Sequence, residues 1–290
     1  MAHLKWGFPL YTEFSRSQYY RDKGLQDFLA RELTIKNTEK ILDVGCGIGV
    51  LSKILAPLLE TGQIEGVDLD ATLVGFGMRQ NKDPKIHLTQ GDARKLEFPS
   101  GTFDIVTSMG LFENIVSEDT EPVLHEMLRM LKPQGKLVVV QLDMLHYVSL
   151  PEEEQFGRFW RDLLAGMRGL GVDLELAQFL RVCGNNGMQL KKSSYEFIFS
   201  SLITEKFLSF YLKGLKSIPI PTEIIGECIE FNYQFVKKFG WTVGKLRELF
   251  ARSYSAEVQE QFLVDRMGSE FRKSLPIHLY VFDRTFHSKS

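Results

Sequence analysis

The chain has 290 residues, of which 44% are hydrophobic and 25% are charged, and this is the composition of an ordinary globular protein. Its 35 basic and 37 acidic residues give a net charge of −2, which is not the basic balance of a nucleic-acid-binding protein or of a polybasic membrane anchor. The composition argues against a disordered chain, a fibrous protein and a disulfide scaffold, although it is compatible with a local basic patch.

Three features of the sequence favour a cytoplasmic location. The three cysteines, Cys46, Cys183 and Cys228, lie far apart without disulfide or metal-ligand spacing, as expected of reduced thiols. The first residues, Met-Ala-His-Leu-Lys-Trp-Gly, do not contain the apolar region of a signal peptide. No apolar run approaches the roughly 20 residues that a membrane-spanning helix requires.

Strands and helices are predicted to alternate over the first half of the chain. Helices are predicted where apolar residues recur every three or four positions, and strands where short apolar runs end at turn residues. Such alternation predicts a parallel sheet covered by helices on both faces. In chain order, the predicted elements are a helix over 15–33, capped by Ser15 or Ser17 and with Leu25, Phe28, Leu29 and Leu33 on its apolar face, a strand over 40–44, a helix over 50–60, a strand over 64–67, a helix over 71–81, strands over 86–90 and 103–108, a helix over 120–131, a turn at 132–135 and a strand over 136–142.

The pattern changes after residue 145. Helices are predicted over 152–168, 172–183, 203–214 and most of 222–272, and strands over 189–200 and 277–286. Because the last strand needs the main sheet as a partner, the helical region is interpreted as an insertion between the last two strands; a separate C-terminal domain is the alternative. The predicted division is an N-terminal cap helix over 1–37, a core over 38–201 with a substrate-side insertion over 143–170, a helical insertion or lid over 202–274, and the final core strand over 275–290.

The strand over 40–44 leads into a glycine-rich turn over 43–49, Asp-Val-Gly-Cys-Gly-Ile-Gly, and then into a helix. Glycine lets the backbone lie against a ligand, and the helix N-terminus offers unpaired N–H groups, although a plain tight turn has the same pattern. The spacing departs from the dinucleotide fingerprint G-x-G-x-x-G, because Val50 stands where the third glycine belongs. With Asp43 beside it, the loop suits a nucleoside ligand that carries an ammonium group and lacks phosphates.

Two further carboxylates follow the next two strands. Asp68 ends the strand over 64–67, where an acidic residue of a nucleotide-binding fold accepts hydrogen bonds from the ribose hydroxyls. A helix N-cap is the alternative role for Asp68, but Asp70 already fits it. After the third strand, Asp92 can accept from the exocyclic amine of adenine, and the backbone N–H of Ala93 can reach a ring nitrogen. Gly-Asp-Ala alone is an ordinary turn, and its register with the other two features is what favours a nucleoside site.

Five short segments, in order and at matching spacing, resemble the motifs of class I S-adenosylmethionine-dependent methyltransferases. The resemblance covers about residues 38–142 and is strongest to the small-molecule methyltransferases of the ubiquinone-biosynthesis and sterol type. It implies a Rossmann-like α/β fold with a seven-stranded, mostly parallel sheet whose last strand is reversed, and a ligand over the C-terminal strand ends. The five segments are Asp43-Val-Gly-Cys-Gly-Ile-Gly49, Val67-Asp68, Gly91-Asp92-Ala93, Phe103-Asp104-Ile-Val and Leu131-Lys-Pro-Gln-Gly135.

The resemblance implies S-adenosyl-L-methionine as the cofactor and assigns residues to its parts. Tyr20, on the N-terminal helix, would help to seal the cofactor, with plain packing as an equal alternative. The other implied contacts are Asp43 and the loop of Gly45, Cys46, Gly47 and Gly49 with the methionine part, Asp68 with the ribose, Leu69 beside the adenine, Asp92 and Ala93 at the adenine edge, and Ser108, Met109 and Gly110 near the sulfonium.

A methyltransferase needs a general base only if the acceptor must lose a proton. The weak candidates are Asp143, His146 and Glu113, and for each the alternative is an ordinary polar loop residue. Many relatives have a Glu-His pair where this chain has Glu113-Asn114, which argues against a histidine base there; Asn114 would orient a substrate oxygen or cap a helix. The six histidines show no metal-binding spacing, so no metal is predicted.

Substrate contacts are expected from 1–20, 143–170 and 202–274. Their many aromatic residues suit a lid over an apolar or aromatic small molecule, or else form the core of the lid itself. Such a lid argues against a nucleic-acid or protein substrate. The sequence therefore favours a cytoplasmic methyltransferase that transfers a methyl group in line to a small molecule. The alternatives are a non-catalytic S-adenosylmethionine-binding protein and, less favoured, a nicotinamide-dependent oxidoreductase. The sequence contains no signal of oligomeric state.

Overall fold

The computed structural model describes residues 22–143, 148–150, 158–159, 161–163, 165–166, 173–216, 222–254 and 256–284. The chain divides into two compact units. The sheet unit comprises Gln18–Leu142, Val172–Tyr195 and Ile277–Ser290, and the helical unit comprises Met1–Ser17, Asp143–Gly171 and Glu196–Pro276.

The described strands and helices alternate in the first half of the chain, as predicted. The strands are β1 (Lys40–Val44), β2 (Gln63–Asp68), β3 (Ile86–Gln90), β4 (Phe103–Met109), β5 (Leu131–Leu142), β6 (Val148–Leu150), β7 (Gln189–Leu202) and β8 (Glu270–Asp283). The α-helices are α1 (Lys23–Leu33), α2 (Val50–Leu55), α3 (Ala71–Gln80), α4 (Ser117–Met130), α5 (Asp173–Asn185), α6 (Glu205–Lys216), α7 (Thr222–Val236), α8 (Val243–Tyr254) and α9 (Ala256–Val264), and short 3-10 helices cover Ala56–Leu58, Phe112–Asn114 and Lys237–Phe239.

The strands of the sheet unit are parallel in the order β3-β2-β1-β4-β5, and β8 lies antiparallel beside β5. Strand β7 pairs with β8. The predicted seven-stranded, mostly parallel sheet with a reversed last strand is therefore confirmed. The strand order changes direction between β1 and β4, which is the switch point at which open α/β sheets bind ligands.

One face of the sheet is packed against α4 and α5. Leu42 of β1, Val106 of β4 and Leu137 of β5 are register partners and belong to a single buried cluster. Full burial stabilises each such side chain by about 1.5–3 kcal/mol, so the cluster holds the two helices firmly on the strands. The helix residues of this cluster include Val123, Leu124, Met127 and Met130 of α4 and Phe179, Val182 and Cys183 of α5.

The helical unit has two apolar clusters of its own. In the larger one, the ring of Phe159 meets the rings of Trp241 and Phe250 edge-on, with centroids 5.6 and 5.7 Å apart. Trp241 also donates its indole N–H to Asp162 at 2.7 Å. In the smaller one, the rings of Phe207 and Phe271 lie 4.9 Å apart. In the same unit, β6 pairs antiparallel with Arg272–Ser274 of β8.

The helix predicted over 15–33 does not continue through Asp22, and α1 begins at Lys23. Asp22 has an extended backbone (φ −72°, ψ 108°), and its carboxylate accepts the Leu25 N–H at 2.6 Å as the N-cap of α1. Asp22 is therefore the cap of this helix, and the predicted caps Ser15 and Ser17 lie outside the described residues. The apolar face predicted for the helix is confirmed, because its four residues are buried in α1.

The turn predicted at 132–135 lies instead within β5, which begins at Leu131. Between the pairs Phe103–Leu131 and Ile105–Lys136, β4 advances two residues while β5 advances five, so an irregularity in β5 absorbs this segment. Pro133 stands in the irregular stretch, where its missing N–H breaks no regular ladder bond.

The helical stretch predicted over 222–272 is also interrupted and ends early. Gly240 is left-handed (φ 82°) between α7 and α8, and α9 ends at Val264. Strand β8 starts at Glu270, although the sequence predicted a strand only from Ile277. The first five residues of β8 are mostly polar, so their extended conformation follows from strand pairing and not from an apolar pattern. The predicted division into cap, core and lid stays a prediction.

Candidate active site

The glycine-rich turn after β1 is held to β2 by its backbone. The N–H groups of Gly45 and Cys46 both donate to the Val67 carbonyl, at 2.8 and 3.1 Å. Gly45 (φ 71°), Gly47 (φ 54°) and Gly49 (φ 79°) are all left-handed, a conformation that side-chain-bearing residues rarely adopt. The backbone path of the turn therefore requires glycine at these three positions. Because glycine has no side chain, the backbone of the turn is uncovered there.

Asp68, at the end of β2, is bonded directly to this turn. Its Oδ2 accepts the Gly47 N–H at 2.8 Å, and its Oδ1 accepts the Asp70 N–H at 2.9 Å. A carboxylate has about four acceptor sites, so each oxygen keeps capacity for a further donor such as a ribose hydroxyl. Asp70 accepts from the N–H groups of Thr72 and Leu73, and the predicted N-cap role of Asp70 is confirmed.

Asp43 makes a contact that the sequence interpretation missed. The side chain is 1% exposed, and its Oδ2 accepts both the N–H and the hydroxyl of Ser52, at 3.1 and 2.7 Å. Asp43 therefore connects the end of β1 to the start of α2, and these are the two elements that the glycine turn joins. The proximity of Ser52 to the turn in sequence was the available signal. The predicted contact of Asp43 with an ammonium group stays a prediction.

Asp92 lies in the turn after β3, and the structure pairs it with a cation that sequence reasoning missed. Arg94 donates from Nη2 to Oδ2 at 2.8 Å and from Nε to Oδ1 at 3.1 Å, and its backbone N–H donates to Oδ1 at 2.9 Å. Hydrogen bonding to Arg94 lowers the pKa of Asp92 below its ordinary value, so the carboxyl is ionised. The Gly91 N–H donates to the Asp68 carbonyl at 2.9 Å, which ties this turn to the end of β2.

A second pair of charges holds the remainder of the same loop. Glu126 of α4 accepts the Leu96 N–H at 2.8 Å, and Arg129 donates to the carbonyls of Leu96 and Phe98, at 2.8 and 3.1 Å. Hydrogen bonding to Arg129 lowers the pKa of Glu126 and keeps this carboxyl ionised. Glu126 and Arg129 are three residues apart on one helix, and this spacing is common for ion pairs on helix surfaces. Only their bonds to the backbone of Leu96 and Phe98 show that the pair holds this loop.

The end of β4 is the next part of the candidate site, after the glycine turn, Asp68 and the turn that follows β3. Met109 is buried, and the Gly110 N–H donates to the Val140 carbonyl at 3.0 Å. The Asn114 side-chain amide donates to the Gly110 carbonyl, and the N-cap of α4 is Val116. Both roles considered for Asn114 stay predictions. Among the described residues, the buried hydroxyls of Thr107 and Ser108 have no hydrogen-bond partner.

The other candidate residues are distributed differently. Leu69 is half-buried and its carbonyl accepts from the Gln90 side chain at 3.2 Å, and Ala93 packs against the α4 and α5 cluster. Asp143 is buried in the helical unit, where its N–H donates to the Pro276 carbonyl at 2.8 Å. Glu113 lies in a 3-10 helix, and His146 and Tyr20 fall outside the described residues.

Among the residues that the structure describes, no group of three or more His, Cys, Asp or Glu side chains is arranged to hold a metal ion. None of the helices described above is long and apolar enough to cross a membrane.

Comparison with known proteins identifies the domain that contains these residues. Residues 41–135 match the family model described as a methyltransferase domain. A demethylmenaquinone methyltransferase of Lysinibacillus sphaericus is 31% identical over 139 residues, which is 47% of this chain and 57% of that protein. Residues 41–135 are therefore a methyltransferase domain. The family resemblance predicted from the sequence is thereby confirmed.

Further relatives show how far the similarity to this methyltransferase domain extends. A ubiquinone/menaquinone biosynthesis C-methyltransferase of Cellvibrio japonicus is 34% identical over 117 residues, which is 39% of this chain and 46% of that protein. The chain spans about half the length of the curated relatives it matches. The structure of a Haemonchus contortus phosphoethanolamine N-methyltransferase shares the fold, with a TM-score of 0.51 and 19% identity over 96% of this chain and 58% of that one.

Proposed function

We propose that the protein is an S-adenosylmethionine-dependent methyltransferase that transfers a methyl group in line to a small-molecule acceptor. The observation that carries the proposal is the hydrogen bond between the Gly47 N–H and the Asp68 carboxylate. This bond connects the glycine turn to Asp68, the carboxylate proposed to bind the ribose, at the switch point of the sheet. Both residues lie in a domain whose family is that of such enzymes.

The residues of the site fit the cofactor. The glycine turn offers a backbone surface, and Asp68 retains acceptor capacity for two hydroxyls. Asp92 is ionised and can accept from an exocyclic amine. Val50 replaces the third glycine of a dinucleotide site and Asp43 brings negative charge, and both features disfavour a pyrophosphate. The family match supports neither a nicotinamide-dependent oxidoreductase nor a non-catalytic binding protein.

Positioning is the main task of the protein in this proposal. When bound, S-adenosylmethionine supplies an electrophilic methyl group on a sulfonium. The chain needs to orient the acceptor and exclude water, and alignment of reactants alone contributes roughly 7–11 kcal/mol. Asp143, His146 and Glu113 stay candidates for a general base, needed only if the acceptor must lose a proton.

The acceptor class is proposed from the relatives. Their names specify a quinone precursor and phosphoethanolamine, which are both small molecules. An apolar or aromatic acceptor is the finer proposal, suggested by the aromatic residues of the helical unit. Phe159, Trp241 and Phe250 pack against one another there, which favours the alternative that these three form the core of the unit. A cytoplasmic location also stays a prediction.

Thermal unfolding with added ligands tests the cofactor. A ligand at about 100 times its dissociation constant stabilises the folded state by roughly 2.7 kcal/mol. We expect the unfolding temperature to rise by several degrees with S-adenosylmethionine and S-adenosylhomocysteine and to be unchanged with NAD. A rise with NAD alone, or no rise with either adenosyl compound, would contradict the proposal. Transfer of a radiolabelled methyl group to a demethylated quinone or to phosphoethanolamine then tests the acceptor.

A further inference from the structure

Arg94 joins the carboxylate proposed to read adenine to the first turn of α4. Besides its bonds to Asp92, the guanidinium donates from Nη1 to Asp119 Oδ1 at 3.3 Å. We infer that Arg94, anchored by Asp119, is a positioning residue that makes the site select a purine with an exocyclic amine over an oxo-purine. The inference rests on the proposed function, since it concerns the adenine end of the same cofactor site.

The Asp92 carboxylate has little freedom to rotate. Arg94 contacts both carboxylate oxygens through a planar guanidinium, and this two-point geometry fixes the plane of the carboxylate as well as its distance. The Asp92 carbonyl accepts the Lys95 N–H at 2.9 Å, so the backbone of the turn is also closed. With each donor of Arg94 counted at its shortest bond, Oδ1 already accepts from two of them and Oδ2 from one, so the acceptor position left for a ligand amine lies on Oδ2.

The selectivity follows from the chemistry of donors and acceptors. An ionised carboxylate only accepts hydrogen bonds, and the exocyclic amine of adenine donates them. Hypoxanthine has a carbonyl oxygen at that position, which would face the carboxylate as a second acceptor. A protonated carboxyl would tolerate the carbonyl by donating to it, but Arg94 lowers the pKa of Asp92 and so disfavours that form.

Asp119 fixes the position of the Arg94 guanidinium. It lies in the first turn of α4, a helix held to the sheet by the buried cluster described above. A negative charge in the first turn of a helix interacts favourably with the helix dipole. Arg94 is therefore held between two carboxylates, one on a rigid helix and one in the proposed adenine site.

The chain contains a matched control residue. Arg129 is an arginine with the same side-chain exposure as Arg94, 36%, and it holds the carbonyls of Leu96 and Phe98 in the same loop. Its ionic partner is Glu126. Loss of Arg129 should loosen the loop in general, whereas loss of Arg94 should change which base the site prefers.

The experiment measures two dissociation constants by calorimetry near neutral pH, for S-adenosylhomocysteine and for S-inosylhomocysteine, which has a carbonyl in place of the amine. We expect the unaltered protein to prefer the adenosyl compound by about 100-fold or more. In Arg94→Gln the preference should fall by roughly tenfold, which is the value of one charge-assisted hydrogen bond. Arg94→Lys should lie between the two, because an ammonium cannot make the two-point contact. Arg129→Gln should keep the preference.

The pH profile is a second readout that a merely structural role would not change. Removal of Arg94 should raise the pKa of Asp92 towards its ordinary value. Since the preference requires the ionised carboxylate, it is lost as the pH falls, and in Arg94→Gln this loss should occur at a higher pH than in the unaltered protein. If Arg94→Gln fails to fold, Asp119→Asn serves instead, with a smaller fall expected.

Three results would overturn the inference. One is an unchanged preference in both Arg94→Gln and Asp119→Asn. Another is an equal loss of preference in Arg129→Gln, which would mean that general loosening of the loop is the cause. The third is the absence of S-adenosylhomocysteine binding to the unaltered protein, which alone would also overturn the proposed function.

Discussion

The carboxylates of the sheet unit and the aromatic rings of the helical unit are held in different ways. In the sheet unit, Asp43 and Asp68 are each fixed by backbone N–H groups of neighbouring elements, at 2.8–3.1 Å. In the helical unit, the described core is built from aromatic rings in edge contact, such as Phe159 with Trp241. Directional hydrogen bonds demand particular residues at particular positions, whereas ring packing demands only volume and shape. The sheet unit is therefore the part whose chemistry a sequence motif can reveal.

Buried polar groups without partners occur among the described residues of both units. In the described part of the sheet unit, the hydroxyls of Thr107 and Ser108 are buried without a hydrogen bond, at the end of β4. In the described part of the helical unit, Asn232 is 1% exposed and its amide oxygen has no partner. An unsatisfied buried polar group costs about 1–3 kcal/mol, so both units contain polar atoms whose burial costs stability.

The largest expected effect is on the helical unit. Phe159→Ala should lower the free energy of unfolding by about 3–5 kcal/mol, because it leaves a cavity between Trp241 and Phe250. Chemical denaturation measures the loss. Leu202→Ala is the control, since this side chain is 60% exposed and should change stability by less than about 0.5 kcal/mol.

Substrate turnover by the same variants tests the lid prediction. If Phe159→Ala and Phe207→Ala leave stability, cofactor binding and turnover all unchanged, the prediction of a lid in this region is wrong. A loss of stability with unchanged binding and turnover would assign both side chains to the core of the unit.

The next largest effect is on the site of the sheet unit. Asp68→Ala removes the acceptor for the Gly47 N–H and both proposed ribose contacts, so S-adenosylhomocysteine should bind at least about 100-fold more weakly. Asp70→Ala is the control, because it removes only the cap of α3 and should cost about 1 kcal/mol of stability with little effect on affinity. Equal losses of affinity in the two variants would refute the ribose assignment.

Two left-handed glycines separate backbone strain from steric conflict. A Cβ added to Gly45 would lie 2.7 Å from Leu111 Cδ1, whereas the nearest neighbour of one added to Gly101 would be the Leu131 carbonyl oxygen, at 3.9 Å. Both positions have positive φ, so alanine is strained at each by about 1–2 kcal/mol. We expect Gly45→Ala to lose roughly 1–2 kcal/mol more stability than Gly101→Ala in denaturation, and equal losses would show that Leu111 yields freely.

The smallest effect concerns pH and an ion-pair network on α1. Hydrogen bonds from Ser193 and Lys191 lower the pKa of Glu32 from 4.5 to about 2. Because the folded-state pKa is depressed, Glu32 stabilises the fold above pH 4.5, and this contribution is lost as the pH falls towards about 2. Glu32→Gln should therefore lose less stability over that window than the unaltered protein.

Denaturation at several pH values within the window measures this difference. Asp27→Asn is the matched control, since its carboxylate makes an exposed pair with Lys23, which is worth little. Identical pH slopes for Glu32→Gln and the unaltered protein would show that the Ser193 contact does not stabilise the fold.

Much of the sheet unit was predictable because its elements are short and particular residues, such as glycines and helix-capping carboxylates, mark where they begin and end. The alternate glycines predicted the turn after β1, and Asp70 predicted the start of α3. The boundary of β8 was not predictable, since its polar first residues have no apolar alternation and become a strand through pairing. The cap at Asp22 was missed because several polar residues precede α1, and only the backbone geometry distinguishes the one that caps it.

The sequence by itself predicted the methyltransferase domain, the alternation of strands and helices along it, and the three carboxylates proposed to surround the cofactor. These depend on local rules, namely glycine at positive φ, apolar runs for buried strands and acidic residues at strand ends. The tertiary structure alone decided what holds those carboxylates. Ser52 donates to Asp43, and Arg94 connects Asp92 to Asp119, which lies twenty-five residues beyond Arg94. Such partners meet only when the sheet and α4 are packed, because spacing in a sequence carries no information about contacts between distant elements.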